Sequence, residues 1–372
     1  MKICYIAPAE SAHTVRWVKY FADKGHEVHL ISFTPFGVGK IDNVNLHVLK
    51  VFLREIRLIS YPTSLVSSVI QIRWLLRKIN PDILHTHYIL NYGFLGSLSN
   101  FHPLVVTAWG SDVLISPKKS RLLKQFVEFS IKRADLITCD GENLKARLAE
   151  LGADLPKIHL IYFGIDIHKF CPGQKDEKLI KKLAILDSPV IVSLRSLEPI
   201  YDIDSLVNAV PLVLKEVPKA IFLIAGAGSQ EAKLRELAKS LGVDNNLRFV
   251  GFVPNDELPR YLRVADVYVS TSLSDAGIAV STAEAMCSGL PVVITDFGDN
   301  GKWVEDGVDG FLVPLRNPEA LASRILDLLS NKERRIRFGQ AGRQIIDDRM
   351  NLEIEMQKME MLYEQLIRRF QK

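Results

Sequence analysis

The sequence predicts an α/β protein of two doubly wound parallel-sheet domains facing each other across a cleft. Three observations lead there. The 372-residue chain exceeds the roughly 250–300 residues at which single cores stop growing. Short apolar runs alternate with amphipathic helical stretches along its length, the pattern of strands joined by helical crossovers. The alternation restarts after Phe170-Cys171-Pro172-Gly173 and a charged KDEK, the kind of composition shift that separates domains. The expected division is 1–172, 173–350 and a final helix, 351–372, long enough to pack back on the first domain.

The first half opens with strand-like KICYIAP and EVHLISF, separated by a helical stretch, His13 to Lys24, with Val15, Val18 and Phe21 on one face. The turn PAESAHT lacks G-x-G-x-x-G, which argues against a dinucleotide there. His13 either faces the crevice or is a surface histidine near a helix start. Leu46 to Leu53 is strand-like, and Ile59 to Lys78 is amphipathic, ending in Arg73, Arg77 and Lys78, where the helix dipole favours cations. Asp82 to His87 (DILHTH) is a buried strand running out into two histidines, at the strand end where α/β sheets hold ligands. No metal is expected, since no third ligand is evident and alternate strand residues are taken to face opposite ways.

Leu104 to Ala108 is a strand ending in Trp109-Gly110-Ser111-Asp112, where Asp112 either caps the backbone or touches substrate. SPKKSRLLKQFVEFSIKRAD then reads as one helix whose first turn holds Lys118, Lys119, Arg121 and Lys124. Cations there oppose the dipole; the partner is either anionic lipid headgroups or solvent. Strand DLITC, helix Gly141 to Leu151 and strand IHLIY complete the first sheet.

The second half repeats the alternation: strand Val190 to Leu194 meeting Arg195, helix Ser205 to Val217, strand Ala220 to Ala225, turn Gly226 to Ser229 and helix Gln230 to Leu241. Strand Leu247 to Phe252, helix Asp256 to Val264 and strand Val267 to Ser270 follow. They lead into SDAGIAVSTAEAMCSGLPVV, Ser274 to Val293, a turn, an Ala-rich helix from about Ala279 or Val280, and a strand to Thr295. The free amides of such a helix start attract anions. Glu284, in its first one or two turns, either accepts hydrogen bonds from sugar hydroxyls or complements the helix dipole.

Composition excludes several classes. The chain is 48% hydrophobic and 24% charged, as in ordinary globular proteins. Its apolar runs fall short of the roughly 20 residues that span a bilayer, and no signal peptide is expected ahead of the first strand. Cys4, Cys139, Cys171 and Cys287 are widely spaced, with neither a disulfide framework nor a zinc pattern. A cytoplasmic location follows as the expectation. Residues 1–170 hold 21 Lys and Arg against 14 Asp and Glu, a net +7, whereas the remainder holds 26 against 29, a net −3. A basic first half suits an acidic surface, including the inner membrane face, or plain solvation.

In order, KGHEVHLIS, ADLITCDGENLKARL, YFGID with HKFCP, LIAGAGSQEAKLRELAKSLG, LRFVGFVP, and EAMCSGLPVVITDFG with DGVDGFLV resemble the retaining, GT-B-type glycosyltransferases of family 4 over almost the whole chain. The resemblance implies two Rossmann-like domains and transfer of a hexose or N-acetylhexosamine from a UDP- or GDP-sugar to a glycan or lipid-linked acceptor, without metal or further cofactor. It implies donor binding by the second domain: the base against Gly251, Phe252 and Val253, the ribose on Glu284, the diphosphate on Arg195, and the leaving phosphate on the amides of Gly277, Ile278 and Ala279. Arg195 and Asp275 are the implied catalytic pair, and His13, His87, Trp109 and Asp112 the acceptor-side group. No nucleic-acid partner is implied, and a homodimer is allowed.

The chain departs from the family pattern in three places. The first acid of the E-x7-E motif would fall at Ala276, one residue after Asp275. The lysine expected five or six residues after the arginine is replaced by Ile200 and Tyr201, and the T-x-H-G histidine by Trp109 in Thr107-Ala108-Trp109-Gly110. A binding subunit that kept the fold without turnover, or a nucleotide-sugar epimerase, are the alternative readings.

Overall fold

The computed structural model describes residues 1–36, 41–50, 60–275 and 277–371, with side chains from 64 onward in the helix that begins at 60. The far end of the expected Leu46 to Leu53 strand and Ala276 lie outside them. The chain forms two compact units, one of Met1–Phe163 with Ile354–Lys372 and one of Gly164–Glu353.

In the first unit the strands are β1 (Lys2–Ile6), β2 (Glu27–Ser32), β3 (Val44–Val48), β4 (Ile83–His87), β5 (Leu104–Ala108), β6 (Leu136–Cys139) and β7 (Ile158–Leu160). They form a parallel sheet in the order β3-β2-β1-β4-β5-β6-β7. In the second unit β8 (Val190–Ser193), β9 (Ile221–Ile224), β10 (Leu247–Phe249), β11 (Val267–Ser270), β12 (Val292–Thr295) and β13 (Phe311–Val313) form a parallel sheet in the order β10-β9-β8-β11-β12-β13. Every residue of β4, β5, β8 and β11 is buried, which explains why β5, β8 and β11 read as largely apolar runs and why β4 carries its two histidines inside the fold: helices cover both faces of a parallel sheet.

Each sheet reverses its winding once, between β1 and β4 in the first and between β8 and β11 in the second. The loops leaving adjacent strands diverge there, so the crevice beyond their carboxyl ends is where such sheets hold ligands.

Several expected elements shift. The basic helix is broken at Ser120, whose backbone is extended and whose hydroxyl caps Leu122 N–H at 3.2 Å. Lys118 and Lys119 therefore end a short helix, Ser116–Lys119, where cations are favoured, and Arg121 begins the next, Arg121–Arg133. β10 stops at Phe249, and Gly251 turns with φ +73°. The helices Pro318–Ser330 and Lys332–Met350 and strand β13 had no assignment from the sequence. The second helix lies so close to the SGLP turn that a Cβ on Gly339 would stand 2.0 Å from the Gly289 carbonyl oxygen. The final helix, Leu352–Gln371, buries Met356, Met359, Tyr363 and Leu366, and from Ile354 it is part of the first unit. Among the described residues no helix is long and apolar enough to cross a membrane.

Candidate functional site

In the second unit the loops leaving β8 and β11 carry Arg195 and Asp275, so the winding reversal brings together two residues 80 positions apart. Arg195 is 8% exposed. Its Nη2 donates to Asp275 Oδ1 at 2.6 Å and to Ser272 Oγ at 3.4 Å, and Nη1 donates to Ser281 Oγ at 3.4 Å. Burial disfavours the cation, but the charges and dipoles of Asp275, Tyr268 and Tyr201 outweigh it and hold the pKa above the ordinary arginine value. The guanidinium sits 4.3 Å from the Tyr201 ring centroid, a cation–π contact. Tyr201, which stands at the expected lysine position, thus supports the arginine instead of adding a second charge. Arg195 Nε and Ser193 Oγ are buried and make no hydrogen bond among the described residues.

The approach of neighbouring backbone fixes this loop. A Cβ on Gly226 would lie 2.2 Å from the Arg195 carbonyl oxygen, and one on Gly228 would lie 2.3 Å from that of Leu197. Only glycine lets the AGAGS turn pack against the arginine-bearing loop.

Gly277, Ile278 and Ala279 are buried and lead into the helix Val280–Cys287, with Ala279 at the N-cap in an extended conformation (φ −62°, ψ 139°). Glu284 is its fifth residue, 2% exposed, and accepts from Asn255 Nδ2 at 3.3 Å. Beyond β10, Val253 is 9% exposed while Phe252 is 77% exposed.

The first unit gathers a second group at its own reversal. His13 stacks on Trp109 with ring centroids 4.7 Å apart and planes 21° from parallel. Trp17 meets Trp109 edge-on at 5.6 Å and His87 at 5.2 Å. His85 and His87 are two residues apart and therefore share a strand face, contrary to the expectation that they point opposite ways; their rings are 4.9 Å apart. His87 Nδ1 pairs with Thr14 Oγ1 at 3.2 Å. His85 Nε2 pairs with Thr107 Oγ1 at 2.5 Å, and Nδ1 with the Tyr363 hydroxyl, which also meets Tyr5 at 3.0 Å. Burial, with help from Arg16, pushes His13 down to about 3. Burial, with help from His13, pushes His87 down to about 3. Both rings are neutral at physiological pH. His13 Nδ1, His87 Nε2 and Trp109 Nε1 are buried without hydrogen-bond partners among the described residues, an uncommon condition for buried polar atoms. Asp112 uses its two oxygens on backbone amides, Ile89 N–H at 2.8 Å and Trp109 N–H at 3.3 Å. Burial pushes its carboxyl up to about 6 against the opposing effect of those bonds.

The sequence missed the supporting residues Tyr201, Ser272, Ser281, Asn255, Trp17 and Tyr363. The i, i+2 spacing of His85 and His87 was the one local signal that both rings join the same cluster. Among the described residues no three His, Cys, Asp or Glu side chains are grouped to hold a metal ion.

The family model for glycosyl transferases group 1 matches residues 175–345, and the model for glycosyl transferase 4-like proteins matches residues 2–141. The chain is 22% identical over 357 residues to the N-acetyl-alpha-D-glucosaminyl L-malate synthase of Bacillus anthracis, covering 94% of this chain and 92% of that protein. It is 28% identical over 217 residues, 56% of each chain, to a GDP-mannose-dependent alpha-(1-6)-phosphatidylinositol monomannoside mannosyltransferase of Mycobacterium tuberculosis. In fold it is similar to Anabaena Alr3699/HepE, solved in complex with UDP-glucose, with a TM-score of 0.83, 19% identity, and coverage of 98% of this chain and 100% of that one.

Proposed function

Because the chain belongs to the glycosyl transferases of the group 1 and 4-like families, we propose that it moves a sugar, with retention of anomeric configuration, from a UDP- or GDP-sugar to a glycan or lipid-linked acceptor. The observation that carries this reading is the buried Arg195–Asp275 pair beside the Val280–Cys287 helix. A guanidinium held beside helix amides suits a diphosphate, whose oxygens it meets in a bidentate way. With that positive charge in place the diphosphate leaves without a metal ion, and the acceptor hydroxyl attacks on the same face, passing its proton to the departing phosphate oxygen. Glu284 receives the ribose hydroxyls, and Phe252 with the Gly251 and Val253 backbone receives the base. Asp275 sits where it contacts the sugar once the phosphate has taken up Arg195. On the acceptor side the indole of Trp109 offers a face to a sugar ring, and His13 and His87 offer neutral nitrogens. Asp112 shapes the loop that presents Trp109.

The relatives support the donor class: one is GDP-mannose-dependent, and one structural neighbour was solved with UDP-glucose. A thermal-shift screen over UDP-, GDP- and ADP-sugars identifies the donor, since ligand binding to the native state raises its melting temperature. With that donor, Arg195→Ala is expected to lose about 10²–10³ in turnover, while a chelator leaves the parent protein's turnover intact. Near-normal turnover in a folded Arg195→Ala protein would overturn the assignment.

A further inference from the structure

The helices Ser60–Ile79, Phe94–Ser99 and Arg121–Arg133 pack side by side in the N-terminal unit. They enclose a pocket of about 740 Å³ whose lining includes Arg73, Arg77, Arg133, Leu76, Phe101 and Phe129, and no Asp or Glu among the described residues. Arg73 donates to the carbonyls of Ser99 at 3.2 Å and Leu98 at 2.7 Å, and Arg133 donates to Asn100 Oδ1. These partners are uncharged, so three guanidinium charges share one pocket without a carboxylate. Arg133 Nε is buried and has no hydrogen-bond partner among the described residues. Like charges gathered in this way repel unless an anion joins them, and the planar fork of arginine matches phosphate oxygens.

The rim has a second property. Val66, Ile70 and Trp74 are spaced four apart on the same side of their helix as Arg73 and Arg77, and are 58%, 62% and 58% exposed. Leu122 and Phe129 on the third helix are 55% and 37% exposed. Lys78 Nζ lies 5.3 Å from the Trp74 ring centroid, so the long cation and the indole rise together from this face. A free phosphate ion would answer the arginines and leave the apolar rim unexplained. A bilayer answers both, because headgroup phosphates meet the guanidiniums while tryptophan and aliphatic side chains enter the interfacial layer.

We propose that this face docks on an anionic phospholipid bilayer, with a headgroup phosphate in the Arg73–Arg77–Arg133 pocket and Trp74, Ile70 and Val66 in the interface. The residues are separate from those proposed for donor and acceptor, so the inference stands whether or not the transfer reaction is as proposed. Nor does it use Lys118, Lys119, Arg121 or Lys124, for which the sequence left lipid headgroups and solvent as the two readings.

The full chain is mixed with phosphatidylcholine vesicles with and without phosphatidylglycerol, and binding is read by co-sedimentation and tryptophan emission. Binding is expected only to the anionic vesicles, weakening with salt. Trp74 emission should shift to the blue, a change lost in Trp74→Phe because Trp17 and Trp303 are buried and the half-buried Trp109 is packed on His13 at the far end of its strand, with its Nε1 buried. Arg77→Gln with Arg133→Gln should weaken binding roughly thirtyfold. Should that variant misfold, the Trp74→Phe emission test alone still decides. Equal binding to neutral vesicles, or an emission shift that survives Trp74→Phe, overturns the proposal. So does thermal stabilisation by inorganic phosphate without vesicle binding, which assigns the pocket to a free anion.

Discussion

Arg195 Nη2 and Asp275 Oδ1 lie 2.6 Å apart with side chains 9% and 11% exposed, so the arginine proposed to hold a diphosphate is already neutralised by a carboxylate. The loops after β8 and β11 deliver the two ends of this pair. A diphosphate entering here replaces one anion by another, which keeps the buried cation paired whether or not the donor is present.

Asp275→Asn is expected to lower stability by on the order of 3 kcal/mol, because it leaves a buried guanidinium without its counter-charge. The same change should tighten nucleoside diphosphate binding, since the phosphate no longer competes with a carboxylate. Urea unfolding and calorimetry measure the two effects. Weaker diphosphate binding in the variant would remove Asp275 from the counter-ion role.

Glu284→Ala should reduce the affinity for the nucleoside diphosphate by roughly tenfold to a hundredfold, the worth of one hydrogen bond to a buried carboxylate. Calorimetry with UDP and GDP reads this directly. Unchanged affinity would return Glu284, held by Asn255 at 3.3 Å, to a purely structural role.

Acid should destabilise the first unit through its histidines. His87 is held down to about 3 by burial and by His13, against about 6.5 in the unfolded chain. The folded state therefore binds fewer protons, and the stability His87 contributes above pH 6.5 is lost as pH falls toward about 3, at about 1.4 kcal/mol per pH unit. His13 and His85 add in the same direction. Asp112, pushed up to about 6, opposes them: its contribution is present at low pH and is lost as pH rises through about 6. Chemical denaturation of wild type and His87→Gln between pH 7 and 5 should give a shallower slope for the variant. Equal slopes would mean that His87 is not the buried neutral group described.

Gly339→Ala should cost about 1–3 kcal/mol or more, because the new methyl group would stand 2.0 Å from the Gly289 carbonyl oxygen and push the Lys332–Met350 helix off the SGLP turn. Urea midpoints report the loss. A variant as stable as the parent would mean that the two backbones separate without cost.

Most strands and helices were legible because their causes are local. LVVTA and VYVS are apolar on both faces, and a parallel sheet covered on both sides requires that. The break at Ser120 was hidden because a capping serine and an ordinary helical serine look alike until the backbone turns extended. On the site, the DAGI turn and the helix carrying Glu284 were visible, whereas the meaning of Asp275 was not. In register with the family motif it stood one residue early; in space it is bonded to Arg195. Tyr201 looked like a missing lysine and is the ring beneath the guanidinium.

By itself the sequence determined the α/β alternation, the resemblance to family 4 and the residue types at the two strand-end clusters, because periodicity, turn chemistry and motif order are carried by neighbours along the chain. Tertiary structure decided which of those residues meet. Arg195 reaches Asp275 across 80 positions, and Tyr363 of the last helix reaches His85 across 278. Such pairs depend on where a sheet reverses its winding and where a distant helix returns, and no local stretch of sequence encodes either.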